Sequence, residues 1–215
     1  MMGDLSEKDI AAGITVVEID GEYLYDYTTV IMNRLNEVLP DFRNHRILTY
    51  EEYIDKYSIK LCGKWTISIP SYSDYLGTVL ANLLFFYNQV NHSAPWDIKR
   101  NDPWKQQFGD IRMPRYGGNS SESFAFRGES VTREDLGNMT YGYLGSAMGI
   151  GDITLYWGGG VAAVGLSKIL TSEELRDPSK NYGDSKDDHA NIEKGIRFYY
   201  GDYPDAKPGI NRTFP

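Results

Sequence analysis

Apolar residues recur along this chain with two periods, and the longer stretches follow the helical one. Leu24, Tyr27, Ile31, Leu35, Val38 and Leu39 share a face if residues 22–39 are helical, and Pro40 would close that helix. Tyr75 to Val90 is the most apolar run. Gly77, Thr78, Asn82, Asn88 and Gln89 interrupt it, so it reads as a buried core helix rather than a membrane span. Shorter helices are predicted from Ser6, where Ser6 and Asp9 have capping-box spacing and Gly13 ends the run, and over Tyr50–Tyr57. The β-branched run 14–19 reads as a strand, with a helix as the alternative. Trp65–Ile69 alternates as a short strand or extended link before Pro70. Residues 101–133, rich in Gly, Ser, Asn, Arg and Pro, are predicted to form the longest irregular segment. Two glycine-rich helical runs follow at 139–149 and 152–170, then a last helix at 187–200 and an extended tail from Gly201 to Pro215. The pattern predicts a mainly α fold with minor β: a single compact domain with a glycine-rich helical core and a long irregular loop.

A length of 215 residues suits one domain and can bury a sizeable core without staples. We divide it at residue 70, into an N-terminal helical region (1–70), which could stand as a subdomain, and the remainder (71–215). The one cysteine, Cys62, cannot form an internal disulfide, and a lone cysteine is usually a small buried hydrophobe. The N-terminus, Met1 to Asp9, is polar and acidic rather than basic and then apolar, so export is expected by a route without a cleaved leader.

Charge narrows the chemistry. The chain has 22 basic and 30 acidic side chains, a net −8, and no Lys/Arg run, which is unlike a surface built to displace counterions from phosphates. Lys99, Arg100, Arg112, Arg115, Arg127 and Arg133 could still line one groove on an acidic body. Seventeen Tyr and four Trp offer platforms for bases or sugars. His45, His92 and His189 are scattered, and neither a zinc spacing nor a Gly-x-Ser-x-Gly elbow occurs. Gly158-Gly159-Gly160 lacks the Gly-Lys-Ser/Thr of a phosphate loop.

Carboxylates, one lysine, amides and tyrosines remain, and they collect in three pieces. Pro95-Trp96-Asp97-Ile98-Lys99 follows the apolar run, and in an extended segment Asp97 and Lys99 would share a face. Asp135, Asn138 and Tyr141 repeat every three residues at the start of a stripe that continues through Gly142, Gly145 and Gly149. Each of these glycines weakens a helix by roughly 1 kcal/mol relative to alanine, which suits a close approach of another backbone. In Gly183 to Ile196, Asp184 and Asp188 stand four residues apart, with Ile192 and Ile196 continuing the face below them. The same acids would equally serve as helix-dipole partners, with no chemistry at all.

Together the three pieces resemble the type 44 bacterial polymorphic toxins. That family has a Trp-Asp-x-Lys element, here Trp96, Asp97 and Lys99. An Asp-x-Gly-Asn-x-x-Tyr-Gly element follows, here Asp135, Gly137, Asn138, Tyr141 and Gly142. The last is Gly-Asp-x-x-x-Asp-x-x-Ile-x-x-Gly-Ile, here Gly183, Asp184, Asp188, Ile192, Gly195 and Ile196, with Phe198, Tyr199 and Tyr200 after it. Order and spacing agree over about half the chain. Ser185, Lys186 and His189 depart from the family's usual residues, which argues against a family role for His189.

The resemblance implies a secreted effector delivered into a competing cell, with RNA cleavage as the activity usually expected. It implies a cognate immunity protein, and a secretion machine or carrier, as partners. On that footing the expected catalytic residues are Asp97, Lys99, Asp135, Asp188 and Asp184, with Trp96, Asn138 and Tyr141 contacting substrate. A divalent ion such as Mg²⁺ could be held by the acids, and no cofactor is otherwise indicated. Paired aspartates fit hydrolysis of peptidoglycan or another glycan as well as RNA cleavage. A toxin without catalysis, binding or disrupting membranes through Tyr75–Val90, is the alternative of another class. A structural module whose polar motifs are caps and hydrogen-bond networks is a third reading.

Overall fold

Capping chemistry sets where most helices begin. The computed structural model describes residues 4–58, 68–117, 121–169 and 171–207. Helix α1 (Glu7–Ala12) starts at the Ser6–Asp9 capping box and stops at Gly13. The same box starts α3 (Tyr50–Tyr57) with Thr49 and Glu52, and α4 (Tyr72–Val90) with Ser71 and Asp74. In each, two backbone donors that the first turn would leave unpaired find side-chain acceptors.

Two expectations of the periodicity are corrected. Residues 22–39 are not one helix. Thr15–Ile19 forms β1 and Glu22–Asp26 forms β2, an antiparallel hairpin, and α2 (Thr28–Asn44) begins only after it. Asp20 and Gly21 both have positive φ (52° and 83°), the geometry of a two-residue hairpin turn. That turn decides the matter locally against a helical apolar period. Pro40 lies inside α2 rather than at its end. It removes one helix hydrogen bond, and burial of Leu39 and Phe42 on either side holds the helix together.

Residues 101–133 are likewise more ordered than their composition suggests. They contain α5 (Asn101–Phe108) and a hairpin of β3 (Phe124–Phe126) and β4 (Glu129–Val131). Trp104, Phe108, Phe124, Phe126 and Val131 are all buried, so this segment contributes to the core despite its polar composition. The strands form one sheet in the order β1-β2-β3-β4. Its middle pair is parallel and joined at a single register pair, Asp26 with Ala125.

Three further α-helices follow among the described residues: α6 (Arg133–Ala147), α7 (Asp152–Val164) and α8 (Lys186–Asp202). Helix α6 begins six residues before the expected 139, at a Thr132–Asp135 capping box. Helix α7 ends at Gly165, short of 170, and short 3-10 turns carry the chain to Gly183. Helix α8 runs to Asp202, so Gly201 and Asp202 belong to it rather than to an extended tail. The expected strand at Trp65–Ile69 lies largely, and Cys62 wholly, outside the described residues.

The architecture is mainly α with minor β. One cluster of buried apolar side chains runs from Ile14 and Ile31 through Trp104 and Leu144 to Tyr199. At its centre α6 and α8 lie side by side in the same direction. Asp135 meets Asn191, Met139 meets Gly195, and Tyr143 meets Tyr199. A Cβ on Gly142 would run into the Ile192 carbonyl, and one on Gly195 into the Met139 carbonyl. The glycine stripe therefore lets two backbones touch. Among the described residues no helix is long and apolar enough to cross a membrane, although α4 exposes Leu76, Leu80 and Leu84 in a row.

Candidate functional site

The parallel α6–α8 pair brings the first turns of both helices together, and with them the three sequence elements. The first element leaves α4 in a series of turns, since Asp97 N–H donates to Ala94 O (2.9 Å) and Arg100 N–H to Asp97 O (3.2 Å). Asp97 and Lys99 consequently do not share the face of an extended segment. The Asp97 carboxylate, 7% exposed, accepts from Ser93 N–H at 2.7 Å and from the Arg100 guanidinium. Trp96 is buried and meets Phe108 edge to face. Both residues hold the loop in shape.

Arg133 presents Lys99. Its guanidinium, fully buried, donates to the carbonyls of Ile98 and Arg100 and to Asn101 Oδ1, and lies over the Trp104 ring. Burial pushes its pKa down to about 10. With those carbonyls turned inward, the Lys99 stem crosses Gly137, where a Cβ would stand 3.1 Å from its Cγ. Lys99 Nζ reaches Glu134 Oε1 at 3.1 Å.

The acids divide by what they touch. Asp135 is fully engaged, accepting from Thr132 N–H (2.8 Å), Thr132 Oγ1 (2.7 Å) and Asn191 Nδ2 (2.6 Å). It caps α6 and ties it to α8. Asp188, in the first turn of α8, accepts from Asn138 Nδ2, and its own N–H is capped by Ser185 Oγ. Asp184 precedes that cap. It follows three successive left-handed residues, Asn181, Tyr182 and Gly183 (φ 51°, 55° and 86°), and its Oδ1 accepts from Ser185 N–H at 3.0 Å. Its Oδ2 sits over α7, 2.8 Å from where a Cβ of Gly159 would stand. Tyr141 is turned inward: its hydroxyl donates to Leu155 O at 3.1 Å and its ring packs on Phe86. Burial raises its pKa, and the Asp184 charge adds to the rise.

The cluster thus holds Lys99, Glu134, Asn138, Asp184 and Asp188, with Asp135, Trp96, Asp97 and Tyr141 behind it as supports. Asp184 differs from the other acids of the cluster in its electrostatics. Burial first, and the neighbouring Asp188 charge second, push its pKa up to about 6, against the opposing pull of Ser185 N–H and Lys99. Among the described residues no three His, Cys, Asp or Glu side chains stand where they could hold a metal ion. Asp184 and Asp188 are the neighbouring carboxylates that could contribute to one, with water or substrate supplying the remaining ligands.

The basic residues do not form a free groove. Arg100 meets Asp97, Arg112 and Arg115 meet Glu122, Arg127 meets Asp202, and Arg133 is buried among carbonyls. Sequence reasoning missed Glu134, Asn191 and the structural role of Arg133. Glu134 was legible as the acid beside Asp135 in a capping box, and Asn191 as the residue one turn below Asp188. A separate cleft of about 540 Å³ opens at the other ends of α6 and α8.

The family model described as Bacterial toxin 44 matches residues 85–201, just over half of the chain. No curated protein and no solved structure matches. The matched span runs from α4 to the last turn of α8 and contains every residue of the cluster. The chain belongs to the bacterial toxin 44 family.

Proposed function

We propose that this toxin is a hydrolase that breaks a polymer of a competing cell by acid–base chemistry at Asp184 and Asp188. The observation that carries the reading is the raised pKa of Asp184 beside a second carboxylate. Two carboxyl groups whose environments separate their protonation can act as acid and base at one pH. Asp184, still partly protonated near neutrality, gives its proton to the leaving oxygen as the bond to it breaks. Asp188 takes a proton from the attacking water, whose hydroxyl forms the new bond. Asn138 holds Asp188 in orientation, and Lys99 steadies developing negative charge.

A glycan such as peptidoglycan is the substrate this arrangement supports best. Its bonds require a proton donor and a carboxylate and no phosphate-binding groove. The chain's net −8 and the pairing of its arginines fit that substrate. Lys99 favours RNA as the second reading. There Asp188 would take the 2′-hydroxyl proton, Asp184 would protonate the leaving 5′-oxygen, and Lys99 would balance the phosphorane. In either case the producing cell needs an immunity protein, and an acidic surface suits one with a basic face. Delivery through a secretion machine or a carrier protein belongs to the same proposal.

The test incubates purified protein with peptidoglycan sacculi and, separately, with total RNA, each with and without chelator, beside Asp188→Asn. Release of reducing ends or muropeptides from sacculi, lost in the variant, is expected. RNA cleavage lost in the variant would move the substrate to RNA and keep the site. A protein that kills cells yet cleaves neither polymer would overturn the hydrolase.

A further inference from the structure

Helix α4 buries one side and leaves the other bare. Tyr75 and Phe86 are buried, whereas Leu76, Leu80, Leu84 and Tyr87 are exposed, Leu80 at 68% and Leu84 at 56%. Asp74 is the only charged side chain among the 19 residues of the helix. A helix that faces water normally carries charged and polar groups on its outer side. A contiguous apolar strip left bare marks a surface for interaction.

The spacing of the strip says what fits it. Ser73, Gly77, Leu80, Leu84 and Tyr87 are all exposed and alternate between four- and three-residue steps, the seam of a two-stranded coil. The seam has one gap, since a Cβ on Gly77 would meet nothing within 4 Å. Two such helices laid antiparallel, centred about level with Asn82, complement each other. Leu80 then faces Leu84 of the second copy, and Tyr87 covers Gly77 of the second copy. On the flank, Asp74 comes opposite Asn88 of the second copy, whose amide donates to the carboxylate. The one charge on the face thus finds a donor, and no like charges meet, although each copy carries a net −8. A basic partner drawn by that net charge would find only Asp74 to pair with here.

We propose that the bare face of α4 is a homodimer interface, in which a second copy of this chain pairs antiparallel along the seam about a two-fold axis. Area sets the strength of the pair. A helix of 19 residues is about 28 Å long and roughly 10–12 Å across. Two such strips bury on the order of 1,000 Å² in total, the low end of specific interfaces. That area suits a reversible dimer with a dissociation constant on the order of 10 µM rather than an obligate one. The interface uses none of the residues of the acid pair, so neither proposal depends on the other.

The test is analytical ultracentrifugation of the full chain from about 1 to about 200 µM, a range that brackets a micromolar constant. A concentration-dependent shift from monomer to dimer is expected. Leu80→Glu should weaken the dimer about tenfold or more, because it buries an unpaired carboxylate, and leave the melting temperature of dilute protein unchanged. Ile10→Glu, at a comparably exposed apolar position on α1, should dimerise as the parent does. Gly77→Met adds apolar surface yet fills the gap that receives Tyr87. It should weaken the dimer by a similar factor without lowering the monomer's melting temperature, since methionine is a better helix former than glycine. In a Cys62→Ser background, Ala81→Cys, beside the axis, should oxidise readily to a covalent dimer, and Ser73→Cys, far from it, should not. The proposal fails if the protein stays monomeric throughout the range, if Gly77→Met associates as tightly as the parent, or if Ser73→Cys cross-links as readily as Ala81→Cys. A monomer that floats with phosphatidylglycerol vesicles, and loses this in Leu80→Glu, would give the face to a membrane and overturn the dimer equally.

Discussion

Lys99 lies across Gly137. Its Cγ and Cε come 3.1 and 3.4 Å from where a Cβ of that glycine would stand, and its ammonium goes on to Glu134. Gly137 therefore acts differently from Gly142 and Gly195, although all three belong to the same stretch of packing. The latter two admit a neighbouring backbone. Gly137 admits a side chain and fixes the path of the lysine whose charge acts on Asp184.

The difference is measurable. In Gly137→Ala the flexible lysine stem can yield, and alanine favours the helix by roughly 1 kcal/mol. Stability should hold while toxicity falls, because Lys99 is displaced. In Gly142→Ala the obstacle is the Ile192 carbonyl, so stability should fall by about 1–3 kcal/mol in urea unfolding. Equal losses of stability in both variants would remove the saddle role of Gly137.

Lys99→Met should reduce killing at least tenfold (roughly 1.4 kcal/mol of lost stabilisation) with little change in melting temperature. Lys105, exposed on α5, gives the control. Lys105→Met should kill as the parent does. Equal small effects would take Lys99 out of the site.

Asp97 and Asp188 separate scaffold from chemistry. Asp97 accepts from Ser93 and Arg100 and is nearly buried, so Asp97→Asn should cost about 1–2 kcal/mol of stability while the folded fraction keeps its activity. Asp188→Asn should leave the protein folded and inactive. Circular dichroism melts beside a killing assay check both, and the reverse pattern would exchange the two roles.

Asp184 gives stability a pH signature. Its folded pKa of about 6 exceeds the ordinary 3.8, so between those values the folded state binds more proton than the unfolded one. Stability contributed at this residue therefore falls as pH rises from about 4 to about 6, and the cost is complete above that. Asp184→Asn should raise the melting temperature at pH 7 and leave it unchanged at pH 4. A stabilisation of equal size at both pH values would show that Asp184 is not held partly protonated by its surroundings.

The helices that begin with a Ser or Thr and an acid three residues on were legible, as in α1 at Ser6–Asp9, because capping is decided within one turn. The glycine stripe was legible as a close approach, and its partner was not, since only the fold says that Gly142 meets Ile192. The sequence could not separate Asp135 from Asp184. Both are acids at helix starts, and what distinguishes them is whether Thr132 and Asn191 fill the lone pairs or α7 removes the water. The hairpin at Asp20-Gly21 was hidden by an apolar spacing that suits a helix and a strand alike. Arg133 looked like surface charge because nothing in its neighbours shows that three carbonyl and amide oxygens will surround it.

The pairing of α6 with α8 also bears on when the molecule becomes dangerous. Helix α6 is poor in intrinsic helix formers at Gly137, Gly142 and Gly145, and its seam is closed by residues some fifty positions later. A growing chain makes α6 before it reaches Asp184, Asp188 and Gly195, so a fragment that stops short of Gly183 has neither carboxylate of the pair nor the surface that orders α6. The assembled cluster is thereby a property of the docked helix pair, and no partial chain without α8 carries it.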